Sequence, residues 1–263
     1  MPNWCFTTYE ISFDDKAMAE KFEKLLDKAI DASNPVNLKG QDFGSHWIGN
    51  ILIACGYPVS YKEDEAWGLQ IVIGDEKHPE PNYCYKGDIT DFYRDDNIVT
   101  ISLETAWRPM PGALATALYA IGVPYTEEDT FVGVSVDWES EEPGCGYFGG
   151  SNPKFCEGDI RVSAEIPAEL YHNDEKIRNI FESYDNDGEV EYIEQRDYAK
   201  NLTREINQYL GLKAATFDKP FEALDEALKA LTKEYPDIMV SYDEYQFEDW
   251  LLGEFNPETD VLK

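Results

Sequence analysis

Two β-like runs, Tyr83 to Phe92 and Ile98 to Trp107, are joined through Arg94-Asp95-Asp96-Asn97. A short polar loop between two such runs is a hairpin signal, and a hairpin forces antiparallel pairing. Parallel strands need a crossover of about a dozen residues or more, for which there is no room here. The pair therefore directs the chain away from alternating β-α units. In the second run Ile98, Thr100, Ser102 and Glu104 face one way, and Val99, Ile101, Leu103 and Thr105 the other.

Other elements arrange themselves around this hairpin. Trp4 to Phe13 reads as a strand, with Cys5, Tyr9, Ile11 and Phe13 on one face and Thr7 between them. Asp14 is placed to cap a helix whose apolar stripe is Met18, Phe22, Leu25, Leu26, Ala29 and Ile30. Ser33-Asn34-Pro35 ends that helix. Gly44 to Gly56 is apolar nearly all round and reads as a short buried helix from about Ser45, in which His46 and Trp47 pack or line a site. Trp67-Gly68 opens an alternating run to Ile73. Pro111 starts a helix to Ile121, with Leu114, Leu118 and Ile121 as its stripe, stopped by Gly122. Strands follow at Phe131 to Trp138, Tyr147-Phe148 and Ile160 to Ile166.

Strand, helix, hairpin, helix, strand is the order of a ferredoxin-like α+β sandwich, an antiparallel sheet with helices on one face. We assign it to residues 1–166. Residues 167–263 read as an acidic, mostly helical region packed on it. Helices are expected at Glu175 to Tyr184, Tyr192 to Leu210 and Pro220 to Glu234, with a strand at Asp237 to Tyr242 and a tail docked through Phe247, Trp250, Leu251 and Leu252.

Asp and Glu outnumber Lys and Arg by 53 to 22, a formal net charge of −31. That field repels phosphates and anionic membranes, and no basic patch offsets it; Lys16, Lys21, Lys24 and Lys28 alternate with acids. Direct nucleic-acid binding is not expected. The charge fits either a solvated surface or a face that imitates DNA. No apolar run reaches membrane-spanning length, and Met1-Pro2-Asn3-Trp4-Cys5 lacks the regions of a signal peptide, so a cytoplasmic location is expected. The five cysteines are scattered without a Cys-x-x-Cys pair, which suits reduced, mostly buried thiols.

Candidate sites fall into three groups. Trp107, Trp138, Tyr147 and Phe148, with Arg108 and Glu139 beside them, form either a binding platform or the seal of the sheet edge. Asp137, Glu139, Glu141 and Glu142 are close enough to supply paired carboxylates for acid–base work, and alternation puts the first three on one face. Ser183 to Glu194 has the layout of a calcium loop between two helices, with Gly188 at the sharp turn and Glu194 at the bidentate position. Asp185, Asp187 and Glu191 would add oxygens, but Ser183 stands where the first carboxylate belongs, so a weak or absent site is expected. Cys145, Cys156 and His172 have no regular metal-ligand spacing. The glycines at 144–150 precede no helix, so no phosphate loop is read there, and no cofactor is expected.

Asn3-Trp4-Cys5, Trp67-Gly68, Glu104-Thr105-Ala106-Trp107-Arg108-Pro109, Asp137-Trp138-Glu139, Glu142-Pro143-Gly144 and Phe148-Gly149-Gly150 together resemble the YubB-type family of phage and plasmid proteins. The likeness runs from residue 3 to about residue 158. Arg108 replaces the family's usual Ser, Met110 its second Pro, and the Thr-Lys-Trp continuation of the tryptophan-glycine strand is missing. The resemblance implies a ferredoxin-like domain encoded on mobile elements and carries no biochemical activity with it. The expectation is a non-enzymatic interaction protein of a phage, plasmid or integrated element, acting on a protein partner. One alternative is an acidic DNA mimic that blocks a basic DNA-binding or defence protein. The other is a hydrolase using the carboxylates near Asp137 to Glu142.

Overall fold

The computed structural model describes residues 4–31, 37–38, 41–42, 44–56, 59–64, 68–73, 87–106, 109, 111–126, 131–142, 147–152, 157–181, 190–213 and 218–247. The chain is a mixed α+β protein of two units, Met1–Asn152 with Phe247–Lys263, and Pro153–Gln246.

The first unit begins with β1 (Trp4–Phe13) and α1 (Lys16–Ala29), then the short pair β2 (Asn37–Leu38) and β3 (Gln41–Asp42). Helix α2 (Gly49–Ala54) leads to the hairpin β4 (Val59–Asp64) and β5 (Gly68–Ile73). Next come β6 (Gly87–Asp95), β7 (Ile98–Ala106), α3 (Gly112–Ala120), β8 (Val134–Glu142) and β9 (Tyr147–Gly150). The main sheet has six strands; within it β8, β1, β7 and β6 stand side by side in that order, each antiparallel to its neighbour. The β9 strand extends the β8 edge.

Strict alternation along β1 decides which face is buried. Tyr9, Ile11 and Phe13 point to one side, together with Ile101 and Leu103 of β7 and Trp138 of β8. Phe22 and Leu26 of α1, Ile51 and Leu52 of α2, and Leu114 and Leu118 of α3 cover that face. The α1 cap is Asp15, not Asp14: its carboxylate accepts from the Ala17 N–H at 2.9 Å. Helix α3 is buried from Gly112 through Leu118, well beyond a single stripe, because its glycine and alanines leave little side chain to exclude neighbours. The Trp47 indole lies directly over Gly49, filling the space where any larger residue would place its Cβ.

The expected hairpin is present, with Asp96 at φ 55° in its tip. Lys16 Nζ reaches Asp96 Oδ1 at 2.6 Å, Arg94 Nη1 donates to the Asp96 carbonyl at 2.7 Å, and Asn97 Nδ2 donates to the Phe13 carbonyl at 2.6 Å. The Lys16 ammonium holds the Asp96 carboxyl below the ordinary carboxylate range. The Lys16, Asp96 and Asn97 side chains thus tie the hairpin tip to the β1–α1 corner.

The second unit contains β10 (Asp159–Pro167), α4 (Ala168–Asn173), α5 (Glu175–Ile180), β11 (Val190–Tyr198), α6 (Ala199–Leu210), α7 (Pro220–Glu234) and β12 (Met239–Glu244). The last strand, β13 (Gln246–Phe247), belongs to the six-stranded sheet. The division falls at residues 152–153 rather than 166, because β10 is the centre of a separate three-stranded sheet, between β11 and β12. The expected helix from Tyr192 to Leu210 is a strand to Tyr198 and a helix only from Ala199. The β-formers Val190, Tyr192, Ile193 and Tyr198 gain a full ladder against β10, which outweighs helical continuity. Val162, Ala164 and Ile166 of β10 pack with Leu202 and Ile206 of α6 and Leu224 and Leu231 of α7. This unit is therefore α+β rather than mostly helical.

Candidate functional site

One face of the β8-β1-β7-β6 array carries the helices; the other carries carboxylates. Cross-strand registers assemble rows on the open face. Phe6 lies between Glu141 and Glu104, with Asp88 beyond Glu104. Thr8 lies between Glu139 and Ser102, with Asp91 beyond. Glu10 lies between Asp137 and Thr100, with Tyr93 beyond. Ser12 lies between Ser135 and Ile98, with Asp95 beyond. Glu10, Asp88, Asp91, Asp95, Asp137 and Glu139 are exposed, and Glu104 and Glu141 half-buried. The one lysine or arginine in these four strands is Arg94, and it sits opposite Val99 on the covered side, paired with Glu23 of α1 at 2.7 Å. Neighbouring strands are about 4.8 Å apart and alternate residues about 6.7 Å along a strand, so these groups form a two-dimensional lattice of negative charge. Trp4, Phe6 and Tyr93 are the exposed large apolar side chains on it, at 37%, 50% and 58% exposure.

The covered side ends in polar groups. Cys5, Thr7, Thr105, Ser140 and Glu142 are all buried where β1, β7 and β8 meet the end of the core. Cys5 Sγ lies 3.0 Å from Ser140 Oγ, which lies 2.8 Å from Thr7 Oγ1. Burial pushes the Cys5 thiol up, and the nearby Glu142 charge adds to this against the lowering effect of the hydroxyls. The thiol is therefore held protonated, the opposite of what a nucleophile needs. Burial also lifts the Tyr9 phenol well above its ordinary value. Glu142 is fully buried, and among the described residues neither carboxylate oxygen has a hydrogen-bond partner.

The residues picked out from sequence distribute as follows. Asp137, Glu139 and Glu141 share the open face, while Glu142 points through the sheet to the other side, so the four carboxylates do not converge. Trp138 is a core side chain at 3% exposure, Tyr147 is half-buried against the same core, and Phe148 is buried opposite Glu141. Trp107 and Arg108 lie outside the described residues, as do Cys145 and Cys156. Trp47 is buried, and His46 is exposed, its Nδ1–H donating to the Ile89 carbonyl at 3.1 Å. The calcium-loop reading meets a contradiction at its end. Glu194 lies inside β11, opposite Ser163, and its carboxylate is paired with the buried Arg161 guanidinium. A strand, not an exiting helix, carries Glu191 and Glu194, and the ligand required at the bidentate position is already engaged. Asp185 and Asp187 lie outside the described residues. Among the described residues no group of three or more His, Cys, Asp or Glu is arranged to hold a metal ion.

Sequence reasoning missed the acidic face because its members come from four strands scattered between residues 10 and 141. Only the Asp137, Glu139, Glu141 alternation was local enough to see. Among the described residues no helix is long and apolar enough to cross a membrane. The chain matches no family model, no curated protein and no solved structure.

Proposed function

We propose that this chain is a non-enzymatic interaction protein whose contact surface is the open, acidic face of its six-stranded sheet. The observation that carries the reading is the row pattern itself: carboxylates on every row, no base among the described residues of that face, and Trp4, Phe6 and Tyr93 exposed among them. Exposed aromatics supply contact area and a single-sign field selects and steers a partner of opposite charge. Solvation alone does not require acids directly opposite one another, as Glu10 and Asp137 are, since like charges there cost stability. The partner is a protein with a basic surface.

A basic DNA-binding or defence protein is the partner class that the same rows favour. Carboxylates held at strand spacing occupy a groove built to receive phosphates, which is the physical content of DNA mimicry. The strand order β8-β1-β7-β6, all antiparallel, supports reading the first unit as ferredoxin-like. With the likeness at Asn3-Trp4-Cys5 and Glu104 to Pro109, it supports the YubB-type relationship, a mobile-element origin and work in the cytoplasm.

Affinity capture from host lysate tests the proposal when run with the native chain and with a variant carrying Glu104→Gln, Asp137→Asn and Glu139→Gln. Basic proteins held by the native chain, lost from the variant and eluted by duplex DNA are expected. Equal capture by both chains overturns it.

A further inference from the structure

The outer edge of the same sheet offers a second contact. Among the described residues, strand β6 pairs with another strand, β7, on one side only. On its other side the Ile89 N–H donates to the His46 carbonyl at 2.7 Å, and there that short bridge stops. A bulge between Ile89 and Asp91 then resets the register. Because Phe92 and Arg94 lie opposite Ile101 and Val99, as Ile89 lies opposite Leu103, they turn their N–H and C=O groups to the same outer edge. Among the described residues those backbone groups have no partner on that side.

A groove of about 480 Å³ runs along this edge, between it and α1. Its covered side holds the apolar groups Ile30 and Phe92, with Asp27 and the Arg94–Glu23 ion pair beside them. Its open side holds Asp91 and Tyr93, with Asp95 next along the strand. We propose that this edge takes an extended peptide segment as an added strand, one in which lysine or arginine alternates with an aliphatic residue. Main-chain hydrogen bonds to Phe92 and Arg94 supply the pairing. The period of two sends aliphatic side chains toward Ile30 and Phe92 and basic ones toward Asp91 and Asp95. A second copy of the chain is disfavoured, because antiparallel β6–β6 pairing about Tyr93 sets Asp91 against Asp95. The inference rests on the acidic-face reading only for the basic character of the partner; the edge and groove are independent of it.

The test uses the full chain and a seven-residue alternating Lys-Val peptide, with amide shifts and hydrogen exchange as readouts. The expected result is perturbation and slowed exchange centred on Phe92 and Arg94. N-methylating the peptide's alternate edge-facing amides should weaken binding about tenfold or more, since it removes two or more hydrogen bonds. Asp91→Asn with Asp95→Asn should weaken it severalfold, while Glu226→Gln with Glu234→Gln in the second unit should leave it unchanged. No binding, or binding indifferent to N-methylation, overturns the added strand. Perturbation centred on Glu10 and Asp137 does so too, while leaving the acidic face standing; capture of partners by the face variant with peptide binding intact separates the failures the other way.

Discussion

Glu10 on β1 and Asp137 on β8 stand directly opposite each other on the open face of the sheet. Directly opposed like charges cost a sheet roughly 0.2–1 kcal/mol. Glu10→Gln should therefore raise stability by about that amount, or a thermal midpoint by up to about 2–4 °C for a unit of this size. It should at the same time weaken capture of a basic partner. Calorimetry beside the capture assay reads both; a variant that loses stability would mean that Glu10 has a stabilising contact.

Gly49 is required by Trp47. A Cβ at this position falls within the indole, so Gly49→Ala must displace Trp47 from the packing between α2 and the sheet. Overpacking of this kind costs about 1–3 kcal/mol, against the usual small gain of Ala over Gly in a helix. Denaturant unfolding followed by tryptophan fluorescence checks it, and a neutral outcome would refute the assigned position of the ring.

Glu142 is fully buried, and among the described residues neither of its oxygens has a hydrogen-bond partner. Leaving such a group unsatisfied costs about 1–3 kcal/mol. Glu142→Met, of similar length and apolar, should stabilise the first unit by an amount in that range. Urea midpoints of the two chains decide the matter, destabilisation being the contrary result.

Tyr242 on β12 donates its hydroxyl proton to Asp225 of α7 at 3.0 Å. Burial first, and that hydrogen bond second, push its phenol up to about 12. The folded value lies above the unfolded value of about 10, so the linked stability is complete below about pH 10 and drains away as pH climbs toward about 12. Tyr242→Phe should flatten the fall in unfolding free energy across that window. An unchanged slope would assign the alkaline loss to other groups.

The first unit was readable because its signals are local. Alternation in Trp4–Phe13, the stripe of α1 and the polar loop before Ile98 each specify an element without help from the rest of the chain. The second unit was less so. Nothing between Tyr192 and Leu210 marks a break, and the ladder against β10 makes Val190–Tyr198 a strand. The acidic face was hidden for a similar reason. Glu10, Asp91 and Glu139 are brought together by registers that depend on all four strands, and a sequence this acidic gives no local contrast. Glu142 illustrates the limit at one residue: alternation was visible, but not that the strand would run far enough to bury its last carboxylate.

The most direct test of the acidic face as the contact surface is the salt dependence of binding to a captured basic partner. Three chains are compared: the native one, the face variant Glu104→Gln, Asp137→Asn, Glu139→Gln, and a charge-matched control with Glu226→Gln, Glu234→Gln and Asp237→Asn in the second unit. If the face makes the contact, the slope of log affinity against log salt falls sharply in the face variant alone, with the control matching the native chain. Equal slopes in the two variants would mean that only total charge matters, and would contradict a contact surface on this sheet.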